Sequence, residues 1–395
     1  MKNILFINHS IRDGGPGRSL FYLLKHFDYE LFKVNVLIPS RKIFSEKIQE
    51  EKLDVEQIVS AHFPENLKRQ NFKINDKPIS LLPLDIIINI FRLFYLLFSM
   101  KKTLKEHKID IIYSNGTLAK VFGALLGTYY KIDVIWHVRN IQQNFFLKFL
   151  INHFSRLTSV KKIICVSRST QNQFKSKDKT IVINNGIDTE EYNSTTVSST
   201  LREKFNIARD KLIIGTAGRV VPRKNFEHFI TVANQISNEY KKDCVFVLVG
   251  DTPYYFNQSY MEKLKKMVAE LGLSDKFVFT GYTDKVESYI SDFDLFIIPS
   301  QYEDPFPRVV IESMSLGKPI LGYKIGGIGE AIDDNVNGFS FNINDNGLAS
   351  KTVELIENSE LRLKMSFESR KKAVNQYDSR IIASKIIDQI KLLSS

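Results

Sequence analysis

The sequence has few cysteines, few prolines and glycines, and no long uninterrupted apolar run. Its two cysteines, Cys165 and Cys244, lie in separate apolar segments with no second Cys or His at metal-ligand spacing. This argues against a disulfide framework and a zinc site, and it fits a reducing compartment. Proline and glycine number only 11 and 19 among 395 residues, which excludes a fibrous chain and argues against disorder.

No segment has the pattern of a membrane-spanning helix or a signal peptide. The apolar run near the amino terminus is four residues long, too short for a signal-peptide core. The longest apolar stretch, Leu84 to Met100, is interrupted by polar side chains and is shorter than the ~20 residues that cross a bilayer. We therefore expect a cytoplasmic protein.

Positive charge is concentrated in the first half of the chain. The formal net charge is +11, and residues 1–193 carry 29 basic and 18 acidic side chains, against 26 of each in residues 194–395. Such an excess suggests nucleic acid, a membrane surface or an acidic substrate as partner. The sequence has neither basic residues interleaved with aromatic ones nor a recognisable helix that reads nucleic-acid bases. We therefore expect no nucleic-acid partner.

Short apolar segments alternate with longer amphipathic ones, which predicts an α/β protein of parallel, doubly wound sheets. We expect six strands in the first half, beginning with Asn3–Ile7, and five in the second, beginning with Leu212–Ala217. The polar tract Asn193–Thr200 interrupts the alternation. It predicts an N-terminal domain over 1–193, a C-terminal domain over 194–378 and a separate helix in 379–395 that packs back toward the N-terminal domain.

A glycine-rich loop follows the first predicted strand and contains Gly14, Gly15 and Gly17. Glycines let a backbone approach a ligand, and the helix start that follows favours an anion, so the loop is a candidate for phosphate or acceptor contact. A tight strand-to-helix turn alone would also need glycine. The spacing does not match the dinucleotide motif, and no acid ends the second strand, which excludes an NAD site.

A second candidate loop opens the C-terminal domain. Arg219 follows Gly218 at the end of a predicted strand, and Lys224 precedes a helix. An arginine fork and a lysine point charge at a strand end suit a diphosphate, although a solvated basic loop has the same appearance.

Two acids lie eight positions apart after another predicted strand of the second half. Asp304 is in the loop after the strand, and Glu312 is about two turns into the next helix, with Pro307 at its start. Taken alone, this is also the pattern of a capped helix that carries one ordinary glutamate.

In this order the motifs resemble those of the family-4 retaining glycosyltransferases. The acid pair is similar to the family's acid–seven residues–acid motif, and Gly218-Arg219 with Lys224 is similar to its donor-diphosphate site. Other matching segments are Asn185-Gly186-Ile187-Asp188, Gly281, Asp294 and Gly326-Gly327-Ile328-Gly329-Glu330. The resemblance implies the GT-B fold, in which two Rossmann-like domains face each other across a cleft.

The resemblance also implies donor-binding roles. Arg219 and Lys224 would neutralise the nucleotide diphosphate as it leaves, and Asp304 would bind hydroxyls of the donor sugar. Glu312 would accept hydrogen bonds from the ribose, and the N–H groups of Arg308 and Val309 would face sugar or phosphate. Asp304 replaces the family's more usual Glu, and Pro307 replaces a common Gly, so the transferred sugar is not specified.

In the first domain, His137 matches the histidine that reaches the transferred sugar, and Gly15 would approach the phosphate or the acceptor. The expected catalytic residues are therefore His137, Asp304, Arg219 and Lys224. We expect no cofactor and no metal. Asp292-Phe293-Asp294 has the form of a metal-binding D-x-D motif, but it precedes a strand late in the chain instead of following one near the amino terminus.

Two segments of the first half, Leu84–Glu106 and Ile141–Lys162, combine broad apolar faces with lysines and arginines. For the helices alone, covering a sheet is the better explanation of such faces, which also fit an anionic membrane surface. The excess of +11 in the first half favours the membrane, so we expect an anionic membrane surface as a partner.

The expected function is the transfer of a sugar from a nucleotide-diphosphate donor, UDP by default, with retention, to a hydroxyl of a lipid-linked or growing bacterial surface saccharide. The enzyme would be peripheral on the inner face of the cell membrane. The alternatives are another reaction of the same fold, such as nucleotide-sugar epimerisation, and a basic nucleic-acid-binding module.

Overall fold

The computed structural model describes residues 1–8, 15–60, 63, 71–74, 77–80, 82–253 and 259–393, with only the backbone of 71–74, 77–80 and 82–86. The chain forms two compact units. Unit 1 comprises Met1–Val166, Thr170–Ile183 and Ala383–Ser395, and unit 2 comprises Ser167–Ser169 and Asn184–Ile382.

The strands and helices of unit 1 alternate along the chain. The strands are β1 Lys2–Asn8, β2 Phe32–Ile38, β3 Val55–Val59, β4 Asn71–Ile74, β5 Lys77–Ser80, β6 Ile111–Asn115, β7 Asp133–Val138, β8 Val160–Cys165 and β9 Thr180–Val182. The helices are α1 Gly15–Lys25, α2 Ile43–Glu50, α3 Leu82–Glu106, α4 Thr117–Tyr130, α5 Phe145–Ser155 and α6 Arg168–Gln171, the last beginning in unit 2.

Seven of these strands form one parallel sheet in the order β3-β2-β1-β6-β7-β8-β9, and β4 pairs with β5 in an antiparallel hairpin. The central strands are buried along almost their whole length because helices cover both faces. One face packs against α3, α4 and α5 in a single apolar core that includes Leu97, Phe122, Trp136 and Ile151.

Unit 2 repeats this alternation. Its strands are β10 Leu212–Ala217, β11 Cys244–Val249, β12 Phe277–Phe279, β13 Leu295–Ile298, β14 Ile320–Tyr323 and β15 Gly338–Phe341. Its helices are α7 Leu201–Lys204, α8 Phe226–Asn234, α9 Ser259–Glu270, α10 Val286–Ile290, α11 Arg308–Ser315, α12 Ile328–Ala331, α13 Gly347–Glu357 and α14 Ser359–Lys372. A 3-10 turn spans Pro222–Lys224, and π-helical turns span Gln235–Glu239 and Ala373–Tyr377.

The six strands of unit 2 are all parallel, in the order β12-β11-β10-β13-β14-β15. The final helix, α15 Ser379–Lys391, begins in unit 2 and continues in unit 1, where Lys391 Nζ lies 3.5 Å from Asp28 Oδ2. Within the part of the chain that the structure describes, no helix is both long and apolar enough to cross a membrane.

Residues 184–193, which the sequence assigned to the first domain, belong to unit 2. Local contacts explain this: Asn185 Nδ2 donates to the carbonyl oxygen of Phe306 at 2.9 Å, and Ile187 exchanges backbone hydrogen bonds with Tyr377 and Ser379. The polar tract that begins at Asn193 therefore follows the first segment of unit 2.

Gly215 in β10 is a packing requirement of unit 2, because a Cβ there would lie 2.0 Å from the buried ring of Phe293. We predict that Gly215→Ala lowers the free energy of unfolding by roughly 1–3 kcal/mol, the usual cost of overpacking a core. Combining it with Phe293→Leu relieves the clash, so the double variant should be less destabilised than the sum of the two single changes. Urea unfolding measures all three variants, and simple additivity would contradict this account.

Candidate active site

Two loops at the carboxyl edge of the unit 2 sheet bring a cation and an acid together. Because β10 and β13 are parallel neighbours, the loops that follow them leave the sheet side by side. The loop after β10 carries Lys224 and the loop after β13 carries Asp304, and Lys224 Nζ donates to Asp304 Oδ2 at 2.6 Å. Both side chains are mostly buried, at 12% and 17% exposed. The two predicted residues thus form a semi-buried ion pair.

The backbone under Arg219 is fixed by neighbouring strand ends. Gly218 has a φ of +147°, and its N–H donates to the carbonyl oxygen of Val249 at 2.9 Å. A Cβ on Gly250 would lie 2.0 Å from the Gly218 oxygen, so only glycine fits there. Arg219, the residue after Gly218, is exposed. It lies on the loop that also carries Lys224.

The double glycine of the predicted motif supports the acidic loop. The Gly327 N–H donates to the carbonyl oxygen of Asp304 at 2.7 Å, and a Cβ on Gly327 would lie 2.2 Å from the oxygen of Pro305. A side chain at this position would push the loop away. The glycines therefore hold Asp304 in place through the backbone.

Glu312 lies inside α11, where it is buried and faces Arg308. Arg308 Nη2 is 3.2 Å from Glu312 Oε1, and Arg308 Nη1 donates to the carbonyl oxygen of Gly186 at 2.9 Å. The sequence assigned a role only to the Arg308 N–H, although the i,i+4 spacing of the two residues predicts such a pair. With Val309, Arg308 starts α11 directly after Pro307, where N–H groups point out of the helix end.

The two acids of the D-x-D motif accept backbone hydrogen bonds elsewhere in unit 2. Asp294 Oδ2 accepts the N–H of Ile213, near the amino end of β10, and Asp292 Oδ2 accepts the N–H of Arg202. Both contacts lie away from the carboxyl edge that holds Lys224. In the described ranges, no group of three or more His, Cys, Asp or Glu is arranged to hold a metal ion.

Unit 1 gathers polar side chains at its own carboxyl edge. Asn8, Asn115 and His137 are aligned across the neighbouring strands β1, β6 and β7, and all three are fully buried. Asn115 Nδ2 donates to Asn8 Oδ1 at 3.3 Å, and Arg139 Nε donates to Asn115 Oδ1 at 2.9 Å. Of this cluster, the sequence predicted only His137. The signal that could have indicated this cluster is a polar residue at or next to the end of each strand: Asn8, Asn115 and His137.

Two neighbours determine the tautomer of His137. Its Nδ1 lies 2.5 Å from Tyr113 Oη and 3.1 Å from Arg139 Nη2. Because a guanidinium only donates, Nδ1 is the acceptor, and we assign the proton of the neutral ring to Nε2. Within the described residues Nε2 has no hydrogen-bond partner. The ring therefore offers one buried N–H donor.

The surroundings of His137 also keep it neutral. Burial, together with the charges of Arg139 and Lys120, holds the pKa of His137 well below its usual value. Burial raises the pKa of Tyr113 above its usual value, so its hydroxyl stays protonated and can donate. Lys120, itself buried in α4, donates to Asn140 Oδ1 at 3.1 Å, and burial lowers its pKa to about 8. No pattern in the sequence indicates a buried lysine at this position.

The predicted glycine loop is described only in part. Gly14 lies outside the described residues, Gly15 is the exposed first residue of α1, and Gly17 is buried one position after Pro16. Asn115 Nδ2 donates to the carbonyl oxygen of Pro16 at 3.0 Å. This bond connects the start of α1 to the polar cluster that holds His137.

We predict that His137 stays neutral, with its proton on Nε2, between pH 6 and 8. A histidine in the unfolded chain titrates near pH ~6.5. Because the folded-state pKa is lower, the stability contributed by neutral His137 is present above that pH and is lost as the pH falls below it. Nitrogen NMR of ¹⁵N-histidine-labelled protein, with His137→Gln to assign the signal, measures both properties. Protonation midway between pH 6 and 7, or an Nδ1–H tautomer, would contradict the prediction.

Comparison with known proteins identifies the family of the chain. The family model described as Glycosyltransferase Family 4 matches residues 13–191, and the model described as Glycosyl transferases group 1 matches residues 197–372. An uncharacterised glycosyltransferase of Methanocaldococcus jannaschii is 29% identical over 277 residues, 66% of this chain and 70% of the relative. The UDP-Gal:α-D-GlcNAc-diphosphoundecaprenol α-1,3-galactosyltransferase of Escherichia coli is 23% identical over 312 residues, covering 75% and 77%.

Solved structures show the same fold. Anabaena HepE in complex with UDP has a TM-score of 0.78 at 22% identity, covering 99% of this chain and 100% of HepE, and its complex with UDP-glucose has a TM-score of 0.77. Each unit has a parallel sheet with alternating helices, and the match to these structures over nearly the whole chain makes the fold GT-B. The two family models together span nearly the whole length of the sequence, and the chain belongs to the family-4 glycosyltransferases.

Proposed function

We propose that this glycosyltransferase moves a sugar from a UDP-sugar, with retention, to a hydroxyl of a lipid-linked or growing bacterial surface saccharide. The observation that carries the proposal is the Lys224–Asp304 pair at the carboxyl edge of β10 and β13, with the buried Arg308–Glu312 pair on the helix that follows. This arrangement supplies cations for a diphosphate and acids for hydroxyl groups at one edge of one sheet.

The donor diphosphate is assigned to Arg219 and Lys224. A lysine ammonium has three donors, so Lys224 is able to keep Asp304 as a partner while it donates to a phosphate oxygen. Asp304 then has a second oxygen for a sugar hydroxyl. Positive charge aimed at the leaving diphosphate stabilises the charge that develops as the glycosidic bond breaks.

The nucleotide and the ribose are assigned from the resemblance and from the relatives. Glu312 accepts hydrogen bonds from the ribose hydroxyls through the carboxylate that Arg308 orients. UDP is chosen because the E. coli relative is named for UDP-Gal and HepE was crystallised with UDP and UDP-glucose. No metal or other cofactor is assigned, because Arg219, Lys224 and the start of α11 provide the positive charge and dipole that a diphosphate needs.

In the proposed reaction, the acceptor oxygen forms a bond to the anomeric carbon on the face from which the diphosphate departs. The bond between that carbon and the phosphate oxygen breaks, and the departing phosphate takes the acceptor proton. His137 donates its Nε2–H to a hydroxyl of the transferred sugar. As a neutral donor it orients the sugar without adding a second positive charge beside the reacting carbon.

The acceptor is assigned from the names of two relatives and from the charge of the first half of the chain. The E. coli relative is named for a diphosphoundecaprenol-linked sugar, and a Staphylococcus aureus relative for poly(ribitol-phosphate). Both acceptors are anionic, which suits the +11 carried by residues 1–193. We place the enzyme in the cytoplasm, peripheral on the inner face of the cell membrane, where a lipid-linked acceptor is presented.

We predict that Lys224→Ala weakens UDP binding and slows sugar transfer by about tenfold or more, the effect of losing a charge-assisted hydrogen bond of ~1.5–3 kcal/mol. Lys266→Ala, which removes the same charge from the exposed face of α9, is the matched control and should leave both unchanged. Calorimetry with UDP and thermal-shift screening against nucleotide sugars measure binding. Equal binding by wild type and Lys224→Ala would overturn the site assignment.

Glu312→Ala should also reduce transfer by about tenfold or more. It leaves the buried Arg308 without its acid, so a loss of stability accompanies it, and binding must be compared below the melting temperature of each variant. Glu312→Gln keeps the shape and one acceptor oxygen, and it should retain more UDP affinity than the alanine variant. If both variants bind UDP as wild type does, the ribose assignment is wrong.

Retention is tested on the product of the enzyme. With a donor and acceptor found by the thermal-shift screen, the anomeric proton coupling constant in the NMR spectrum of the product should match the donor's configuration. An inverted linkage would disprove retention, and isomerised nucleotide sugar formed without acceptor would identify an epimerase instead.

A further inference from the structure

The outward face of α3 is apolar and exposed between Ile87 and Phe98. Ile87, Phe91, Phe94 and Phe98 are spaced three or four residues apart, and their exposed fractions are 49%, 70%, 55% and 57%. This spacing places them on one side of the helix. The opposite side packs into the core of unit 1 through Leu96, Leu97, Met100 and Leu104. The exposed face is therefore additional to the apolar surface that covers the sheet.

The same face of α3 becomes cationic toward its end. Lys101, Lys102 and Lys105 continue the spacing and are exposed. Lys102 Nζ lies 3.6 Å from Glu106 Oε1, which leaves a net positive end on the face. The face thus runs from aromatic to basic along one helix.

The start of α5, its first turn and Phe149, has a second group of exposed aromatic side chains. Phe145, Phe146 and Phe149 are 85%, 64% and 58% exposed, and Lys148 among them is also exposed. The Asn144 side chain caps this turn by accepting the Leu147 N–H at 3.1 Å. The α5 side chains that pack into the apolar core of unit 1 are Ile151 and, partly buried, Phe154, both in later turns. The three phenylalanines are therefore exposed at the start of a folded helix and lie outside this core.

Both groups lie on the same side of unit 1. Helices α3, α4 and α5 share one core against one face of the sheet, and α4 contacts both of the others. The exposed Tyr129 of α4 meets the ring of Phe98 edge-on, with ring centroids 5.8 Å apart, and extends the apolar surface.

The direction of the helices places the aromatic ends near the carboxyl edge of the sheet. A helix that leads into a parallel strand ends at that strand's amino edge, and α3 ends shortly before β6. Its lysines therefore lie toward the amino edge and Phe91 toward the carboxyl edge. Phe145 begins α5 eight residues after His137, at the same carboxyl edge.

Exposed apolar residues are ordinary when they are scattered, whereas a contiguous patch marks a binding surface. The α3 face with Tyr129 is such a patch, and the start of α5 adds a second group of exposed phenylalanines. Lysines lie on both α3 and α5, in the half of the chain that holds the entire +11. Cores of protein interfaces are depleted of lysine. Aromatic insertion beside exposed lysines is the chemistry that recognises anionic lipid headgroups above acyl chains.

We propose that the outward face of α3 and the start of α5 form a docking surface that seats unit 1 on an anionic lipid bilayer, with the aromatic side chains in the headgroup–acyl boundary. This deepens the proposed function, because it places the edge that carries His137 beside a lipid-linked acceptor. Vesicle binding requires no sugar transfer, so failure of this surface and failure of the proposed reaction give different results.

The test is sedimentation of the purified full-length chain with vesicles of phosphatidylcholine alone and of phosphatidylcholine with 25% phosphatidylglycerol. Wild type should bind the anionic vesicles at least tenfold more strongly than the neutral ones, and 0.5 M salt should reduce the difference. The triple variant Phe145→Ser, Phe146→Ser, Phe149→Ser should lose at least tenfold in binding. Lys101→Gln, Lys102→Gln, Lys105→Gln should lose the preference for anionic lipid.

The matched control is Leu363→Ser with Phe367→Ser, which removes two apolar side chains that are 69% and 65% exposed on α14 of unit 2. It should bind vesicles as wild type does. Every variant should keep the wild-type thermal shift with UDP, which shows that it is folded. Unchanged vesicle binding by the triple phenylalanine variant would overturn the proposal. So would a wild-type dimer in light scattering that this variant converts to a monomer, because a second copy would then cover the surface.

Discussion

Parallel pairing of strands is the constraint on which the rest of the molecule depends. In each unit the strands enter the sheet at one edge and leave it at the other, so every loop that follows a strand starts at the same edge. Helices must return the chain along both faces, and the strands become buried and apolar. Polar side chains then collect where strands end, as Asn8, Asn115 and His137 do in unit 1.

The two units balance charge at that edge in different ways. Unit 2 pairs its cations with acids, Lys224 with Asp304 and Arg308 with Glu312, so each charge is kept in place by a partner of opposite sign. Unit 1 surrounds a neutral histidine with Arg139 and Lys120 and satisfies them with amide oxygens. The ion pairs of unit 2 suit a charged ligand that competes for a cation. The neutral His137 of unit 1 suits hydrogen-bond donation, in a fixed geometry, to uncharged hydroxyls.

Much of the fold could be predicted from the sequence, because apolar strands of parallel sheets have a distinct pattern. The bounds predicted for β10, Leu212–Ala217, match the structure. The strand β3 was not predicted, since it is half-buried at the sheet edge and carries Glu56 and Gln57, and β15 was missed because it is short and begins with Gly338 at a φ of +158°. The antiparallel hairpin of β4 and β5 was also missed.

The sequence names residues of the candidate site, but it does not give the contacts that the structure shows between them. The ion pair of Lys224 and Asp304 joins positions 80 residues apart, and it requires the adjacency of β10 and β13, which no local pattern contains. The Tyr113–His137 contact likewise depends on the register of β6 and β7. By contrast, the i,i+4 pair of Arg308 and Glu312 was available from spacing alone.

The central claim, that the carboxyl edge of β10 and β13 holds the donor nucleotide, is tested most directly by a crystal structure of the chain with UDP. We expect a phosphate oxygen within hydrogen-bond distance of Lys224 Nζ and the ribose hydroxyls against the Glu312 carboxylate. UDP bound away from both residues, in a crystal where this edge is open to solvent, would contradict the account.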